Sequence, residues 1–175
     1  MKRVNLIYEH PIFLEKFQAL QKAETDRPFC NHTLEHLMDV ARLMYIYSLE
    51  HGFSLSKEII YATALMHDIG RIDQIEKGIP HEKAGAALCD AILPECGFVK
   101  TEIQMIQAAI LRHRTDIYRT DISENLCDGK KSVSENELLS DMLYWADKKS
   151  RNCFACRMRE ACNWDEEKMN LAIEY

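Results

Sequence analysis

The chain has 175 residues, 47% hydrophobic and 29% charged, with a formal net charge of -6. That balance suits one soluble globular domain with a real core. It argues against binding along a nucleic-acid backbone, which needs a basic stripe. No apolar run approaches the ~20 residues of a membrane span, and the N-terminal segment is too polar for a secretory signal. A cytoplasmic protein without a membrane partner is therefore expected. The 7 cysteines are an odd number, which suits reduced thiols or metal ligands better than a disulfide framework.

Only 6 Gly and 4 Pro occur, and strand-like alternation is scarce. Apolar residues instead recur at three and four, most clearly at Leu34, Leu37, Val40, Ala41 and Met44, and at Ile59, Ala62, Leu65 and Met66. The pattern predicts an all-α domain with helices near 11–24, 32–51, 55–68, 81–93, 99–113 and 134–150, then a short one near 164–173. Pro11 suits a first helical position. Ser54 and Ser134 suit N-caps, each with an acidic residue three or four further on. Gly52, Gly70 and Gly97 read as stops. The polar stretch from Thr115 to Ser134 is the longest expected loop, either a lid or a disordered connection. Arg114 and Arg119, in or near it, are weak candidates for contact with a phosphate. The division expected is a main domain at 1–152 and a cysteine-containing tail at 153–175 packed on it.

The segment ALMHDIGR puts His67 and Asp68 at the end of an apolar, helix-like run. Burying two ionisable groups requires a partner: each other, a hydrogen-bond network or a metal ion. In NHTLEHLMDVARL, His32 and His36 are one helical turn apart, and His36 shares its flank with Leu37 and Val40. His81 opens a helix, His113 closes one, and Asp147 lies near the end of the last long one. A helical bundle can gather such positions in its interior, where facing helices build metal sites. The blander readings are a hydrogen-bonded His67–Asp68 pair, a helix start at His81, and a cation on the C-terminal dipole at His113. Imidazoles and carboxylates without thiolate suit iron, manganese, zinc, cobalt or nickel. His10 and His51 fit no pattern and are expected at the surface.

The order of these motifs resembles the HD-domain superfamily of metal-dependent phosphohydrolases. That family has a histidine on one helix, a His-Asp doublet ending the next, and an aspartate on a late helix. Its two-metal versions add two histidines in between. His36, His67-Asp68, His81, His113 and Asp147 match in order, over roughly residues 32 to 151. The chain looks most like the small binuclear bacterial HD proteins that include the symmetrical diadenosine-tetraphosphate hydrolase. It shares with them a His-x-x-x-Gly-Ala segment and an Ala-Asp-Lys-like end.

The resemblance implies an HD helical bundle with the metal site inside it, holding divalent transition metals, most simply two ions. One ion would take His36, His67 and Asp147, the other His81 and His113, with Asp68 bridging. Two such ions can hold the attacking and leaving oxygens of an in-line displacement and supply a water-derived nucleophile at neutral pH. The expected activity is phosphohydrolysis of a nucleotide or other small phosphate ester or anhydride. In related cyclic-nucleotide phosphodiesterases a histidine four positions before the ligand donates a proton, which would make His32 a general acid; a surface or supporting histidine is the alternative. Arg71 could clamp a phosphate, and Lys148 and Arg151 could read one. Two other classes compete: a mixed-valent di-iron oxygenase of the same family, and a non-catalytic metal-containing sensor or binding module.

Beyond that pattern, SRNCFACRMREACNW carries Cys153, Cys156 and Cys162. Zinc or an iron–sulfur cluster would want a fourth ligand, and Cys30 is the candidate if the tail folds back. Three reduced cysteines are the alternative.

Overall fold

The structure is a computed structural model that describes residues 1–113 and 134–175. The expected long loop, with Arg114 and Arg119, lies almost wholly outside the described residues. The helices run α1 Lys2–Glu9, α2 Pro11–Ala23, α3 Leu34–Glu50, α4 Lys57–Met66, α5 Arg71–Lys77, α6 His81–Ile92, α7 Lys100–Arg112 and α8 Glu135–Lys149, followed by 3-10 turns at Cys153–Ala155 and Arg159–Ala161. The fold is all-α, with no strand among the described residues. None of the described helices is long and apolar enough to cross a membrane.

Helix α4 is the axis of the bundle. Every residue from Ile59 to Met66 is buried, so the helix is apolar all round and needs neighbours on all sides. It packs against α1, α3, α6, α7 and α8. Helices α3, α7 and α8 contribute Met44, Ile106, Leu139 and Leu143 to the same core.

Several boundaries differ from the expectation, each for a local reason. Two helices, α1 and α5, are too short for a periodic stripe to show in sequence; α1 buries only Val4 and Ile7. It is held instead by Arg3, which pairs with Glu58 at 2.6 Å and Glu102 at 2.7 Å. Pro11 opens α2 as expected, but His10 is not a surface residue. It is buried, its Nδ1 accepts the Ile12 N–H at 3.2 Å, and its Nε2 stands 3.2 Å from Glu95.

Helix α3 starts two residues later than expected, because Thr33 caps it by accepting the His36 N–H at 3.4 Å. His32 therefore precedes the helix. Helix α4 begins after Ser56, so Ser54 is not its cap. Ser134 does cap α8: its Oγ accepts the Glu137 N–H at 3.3 Å, and Glu137 accepts the Ser134 N–H at 3.1 Å. The helix expected near 164–173 does not form. Leu171 and Ile173 there are exposed, and without an apolar face to bury a short helix has no tertiary support.

Gly70 departs in an instructive way. Its φ of -75° is ordinary, so it does not end α4 through a left-handed turn. A Cβ at Gly70 would lie 2.3 Å from the His81 carbonyl oxygen and 2.5 Å from the Gly85 nitrogen. The residue is glycine because α6 passes against it. At Gly85 the reciprocal Cβ would meet the Met66 oxygen at 3.2 Å. These two glycines bring the start of α6 against the end of α4, and with it His81 beside Asp68.

Candidate metal centre

Six buried donors converge from five helix termini. His36 lies in the first turn of α3, His67 and Asp68 in the turn after α4, His81 at the start of α6, His113 just after α7 and Asp147 in the last turn of α8. Their ligand atoms form two groups, each with all members within 4.8 Å of one another: His36, His67, Asp68 and Asp147, and Asp68, His81 and His113. Asp68 belongs to both. Its Oδ2 lies 3.1 Å from His67 Nε2 and 3.6 Å from His36 Nε2, while its Oδ1 lies 3.5 Å from His81 Nε2. Asp147 Oδ1 completes the first group at 3.4 Å from His36 and 3.9 Å from His67.

The other ring nitrogens orient the set. Nδ1 of His67 faces the Ala64 carbonyl at 2.7 Å, and Nδ1 of His113 faces the Ile110 carbonyl at 2.5 Å. His81 Nδ1 faces Gln74 Oε1 at 2.7 Å, and His36 Nδ1 faces Ser150 Oγ at 3.1 Å. Ser150 donates its own proton to the Asp147 carbonyl, so it accepts from His36. With Nδ1 engaged in this way, the Nε2 atoms turn inward, as those of metal-ligating histidines do. Two details fit a cation. His67 Nε2 is buried without a hydrogen bond of good geometry, although Asp68 is close. His81 and His113 Nε2 face each other at 3.1 Å.

The site is electrostatically primed for positive charge. Burial pushes the Asp68 carboxyl up, but His67 and the hydrogen bond from His36 outweigh it and hold it well below the usual range. The balance at Asp147 is the same, with His36 and His67 prevailing over burial. Burial pushes the His67 imidazole down, yet Asp68 and Asp147 lift it to about 9. His113 is held below its ordinary value by burial.

Around the donors stand the other residues singled out in sequence. His32 is buried, with Nε2 3.5 Å from Asp68 Oδ2. Its partner is Glu24, which the sequence did not flag. Glu24 is 3% exposed; its Oε1 lies 2.7 Å from His32 Nδ1 and its Oε2 accepts the His32 backbone N–H at 2.8 Å. Burial pushes Glu24 up and lowers the His32 imidazole, while their hydrogen bond opposes burial in both; it prevails at Glu24 but not at His32. No spacing rule pairs Glu24 with His32, because the contact is made by the turn after α2. Gln74 was missed for the same reason: it sits on α5, itself invisible to periodicity.

The three cations expected at a phosphate are all on carboxylates of the centre. Arg71 Nε donates to Asp68 Oδ1 at 3.1 Å. Lys148 pairs with Asp147 Oδ2. Arg151 Nη2 reaches Asp147 Oδ1 at 3.3 Å and stands 3.1 Å from His36 Nε2, beside the first donor group. All three also line an open cleft of about 1350 Å³ that reaches His32, His113 and Asp147.

Among the described residues the cysteines of the tail form no group of three donors within 4.8 Å.

Residues 33–152 match the HD domain family. An uncharacterised protein of Clostridium beijerinckii is 37% identical over 175 residues, the whole of both chains. A solved structure, that of a predicted HD superfamily hydrolase from an uncultured Thermotogales bacterium, is similar with a TM-score of 0.57 and 19% identity, covering 90% of this chain and 81% of that one. At that identity the likeness concerns the fold.

Proposed function

The chain belongs to the HD domain family, and from that premise we propose that it is a metal-dependent phosphohydrolase holding two divalent ions. Its substrate is a nucleotide or another small phosphate ester or anhydride. The observation that carries this reading is Asp68, a buried carboxylate whose two oxygens face two separate donor groups. A bound pair of iron, manganese, zinc, cobalt or nickel ions supplies a nucleophilic water at neutral pH and positive charge for the phosphoryl oxygens.

The chain's own residues do the rest. His36, His67 and Asp147 would hold one ion, His81 and His113 the other, and Asp68 would serve both. His32, oriented by Glu24, presents Nε2 toward the shared carboxylate, and we assign it to pass a proton to the leaving oxygen. Arg71 lines the cleft with its Nε on Asp68, and its guanidinium would clamp a phosphate that enters. Lys148 and Arg151 are anchored on Asp147 and supply cations at the rim.

The test is phosphate release from a panel of mono-, di- and dinucleoside polyphosphates, diadenosine tetraphosphate included. Protein is prepared anaerobically and supplied with Fe(II) or Mn(II). Metal-dependent release that Asp68→Ala abolishes, together with loss of bound metal, is the expected result. A metal-free Asp68→Ala protein of full activity would overturn the reading. So would silence across the panel with metal verified in the protein, which would favour oxygen-dependent chemistry or a sensor.

A further inference from the structure

The tail after α8 is ordered by very little. Of residues 153–175 only Cys153 is buried, and the segment contains no α-helix. Its path is nonetheless defined. Asn170 Nδ2 donates to the carbonyls of Lys148 at 2.7 Å and Arg151 at 2.8 Å. One 3-10 turn begins at Cys153 and is closed by the Cys156 N–H on the Cys153 carbonyl at 3.1 Å. A second ends at Cys162, whose N–H bonds the Arg159 carbonyl at 3.2 Å. Small segments that bury so little apolar surface are usually held by a disulfide or a metal, and these cysteines are free thiols.

Cys153, Cys156 and Cys162 line the same cleft as Cys30, which comes from the connection between α2 and α3. Cys89 and Cys96, by contrast, are buried in the hydrophobic core. The cleft thus collects four thiols, and no three of them form a donor group within 4.8 Å among the described residues; a cubane does not ask for one, because each thiolate binds its own iron at a corner of a larger body. Arg27, Arg159 and Lys168 line the same cleft, Arg27 paired with Glu24 and Lys168 with Asp165.

We propose that Cys30, Cys153, Cys156 and Cys162 bind a four-iron, four-sulfide cluster that clamps the tail to the α2–α3 connection, on the wall of the cleft that leads to the His/Asp centre. The assignment is independent of the hydrolase reading, because it uses none of the six histidine and aspartate donors.

The experiment is anaerobic purification, followed by reconstitution with Fe(II) and sulfide, and assay of iron, acid-labile sulfide and visible absorption. Sulfide separates this site from iron on the His/Asp centre, which has no sulfur ligand. About four sulfides per chain, with broad sulfide-to-iron charge-transfer absorption, are expected. Single Cys30→Ser, Cys153→Ser, Cys156→Ser and Cys162→Ser variants should fall to less than about one. Cys96→Ser should retain the sulfide, and Asp68→Ala should retain it while losing the iron of the other centre. A folded wild-type protein that takes up no sulfide, or that holds stoichiometric zinc on these thiols, overturns the proposal. Full sulfide in Cys30→Ser overturns the ligand set.

Discussion

Nε2 of His81 and Nε2 of His113 stand 3.1 Å apart, while Nδ1 of each already faces an oxygen, Gln74 Oε1 and the Ile110 carbonyl. With both Nδ1–H groups donated, two lone pairs oppose each other in a buried site. A cation between them turns that repulsion into coordination, and Asp68 Oδ1 at 3.5 Å from His81 completes a three-donor face. Metal-loaded protein is therefore expected to hold two ions, and His113→Ala one. Ligand binding to the native state alone stabilises by about 2.7 kcal/mol at a free concentration of 100 Kd. Chelation should lower Tm accordingly, and His113→Ala should lose part of that gain. Elemental analysis and thermal melts check both, and two ions retained in His113→Ala would remove the second site.

The Glu24–His32 pair makes a separable prediction. Glu24 touches neither donor group, so Glu24→Gln should leave metal content unchanged while freeing the His32 ring to turn. Partners of this kind are commonly worth about 10–100-fold, and removal of a general acid about 10²–10⁴-fold. We expect kcat to fall in those ranges for Glu24→Gln and His32→Gln, with KM little changed. The double variant should be barely worse than His32→Gln, because the two act as a unit. Equal and additive losses in kcat, or a parallel loss of metal, would show that Glu24 only supports the fold.

The contrast between the six donors and Glu24 shows what a sequence exposes. His36, His67, Asp68, His81, His113 and Asp147 all sit at helix ends, and their order along the chain is a motif in itself. The long helices α3 and α4 announce themselves because each buries a stripe longer than two turns. Helix α5, only 7 residues long, cannot, and Gln74 stays hidden with it. Glu24 reads as an ordinary polar residue after a helix until the chain path lays it under His32. The tail misled in the other direction: a short helix was expected near 164–173, but Leu171 and Ile173 are exposed and no helix forms there. Lys148 and Arg151 follow Asp147 in sequence, yet their contacts with it depend on side-chain directions that spacing does not carry.

Gly70 tests whether helix approach sets the metal geometry. A Cβ there meets backbone at 2.3 Å and 2.5 Å, so α6 must move away and carry His81 with it. Gly70→Ala should cost about 1–3 kcal/mol, the usual range for overpacking, and should lower occupancy of the His81–His113 face more than that of the other group. Gly52 is the control: its φ of 67° strains an alanine, but nothing lies within 4 Å of the added Cβ. Gly52→Ala should lose some stability and no metal. Denaturant melts with metal analysis of the two variants distinguish the cases, and equal metal loss in both would reject the steric account.

The attachment of α5 to α2 predicts an acid-sensitive share of stability. Lys16 Nζ reaches both oxygens of Asp73 at 2.7 and 2.8 Å, and Lys77 adds a bond at 2.6 Å. Burial pushes the Asp73 carboxyl up, but the two ammonium groups outweigh it and hold it below its ordinary 3.8. A depressed carboxylate contributes fully above its unfolded pKa and loses that contribution as pH falls through the folded one. Asp73→Asn should therefore destabilise the protein at pH 7, by on the order of 1 kcal/mol for a buried carboxylate whose ammonium partners still reach solvent. The gap between variant and wild type should narrow below pH 3.8. Urea melts of both proteins across the acid range measure that gap, and one that stays constant with pH would mean that the carboxylate charge is not what ties α5 to α2.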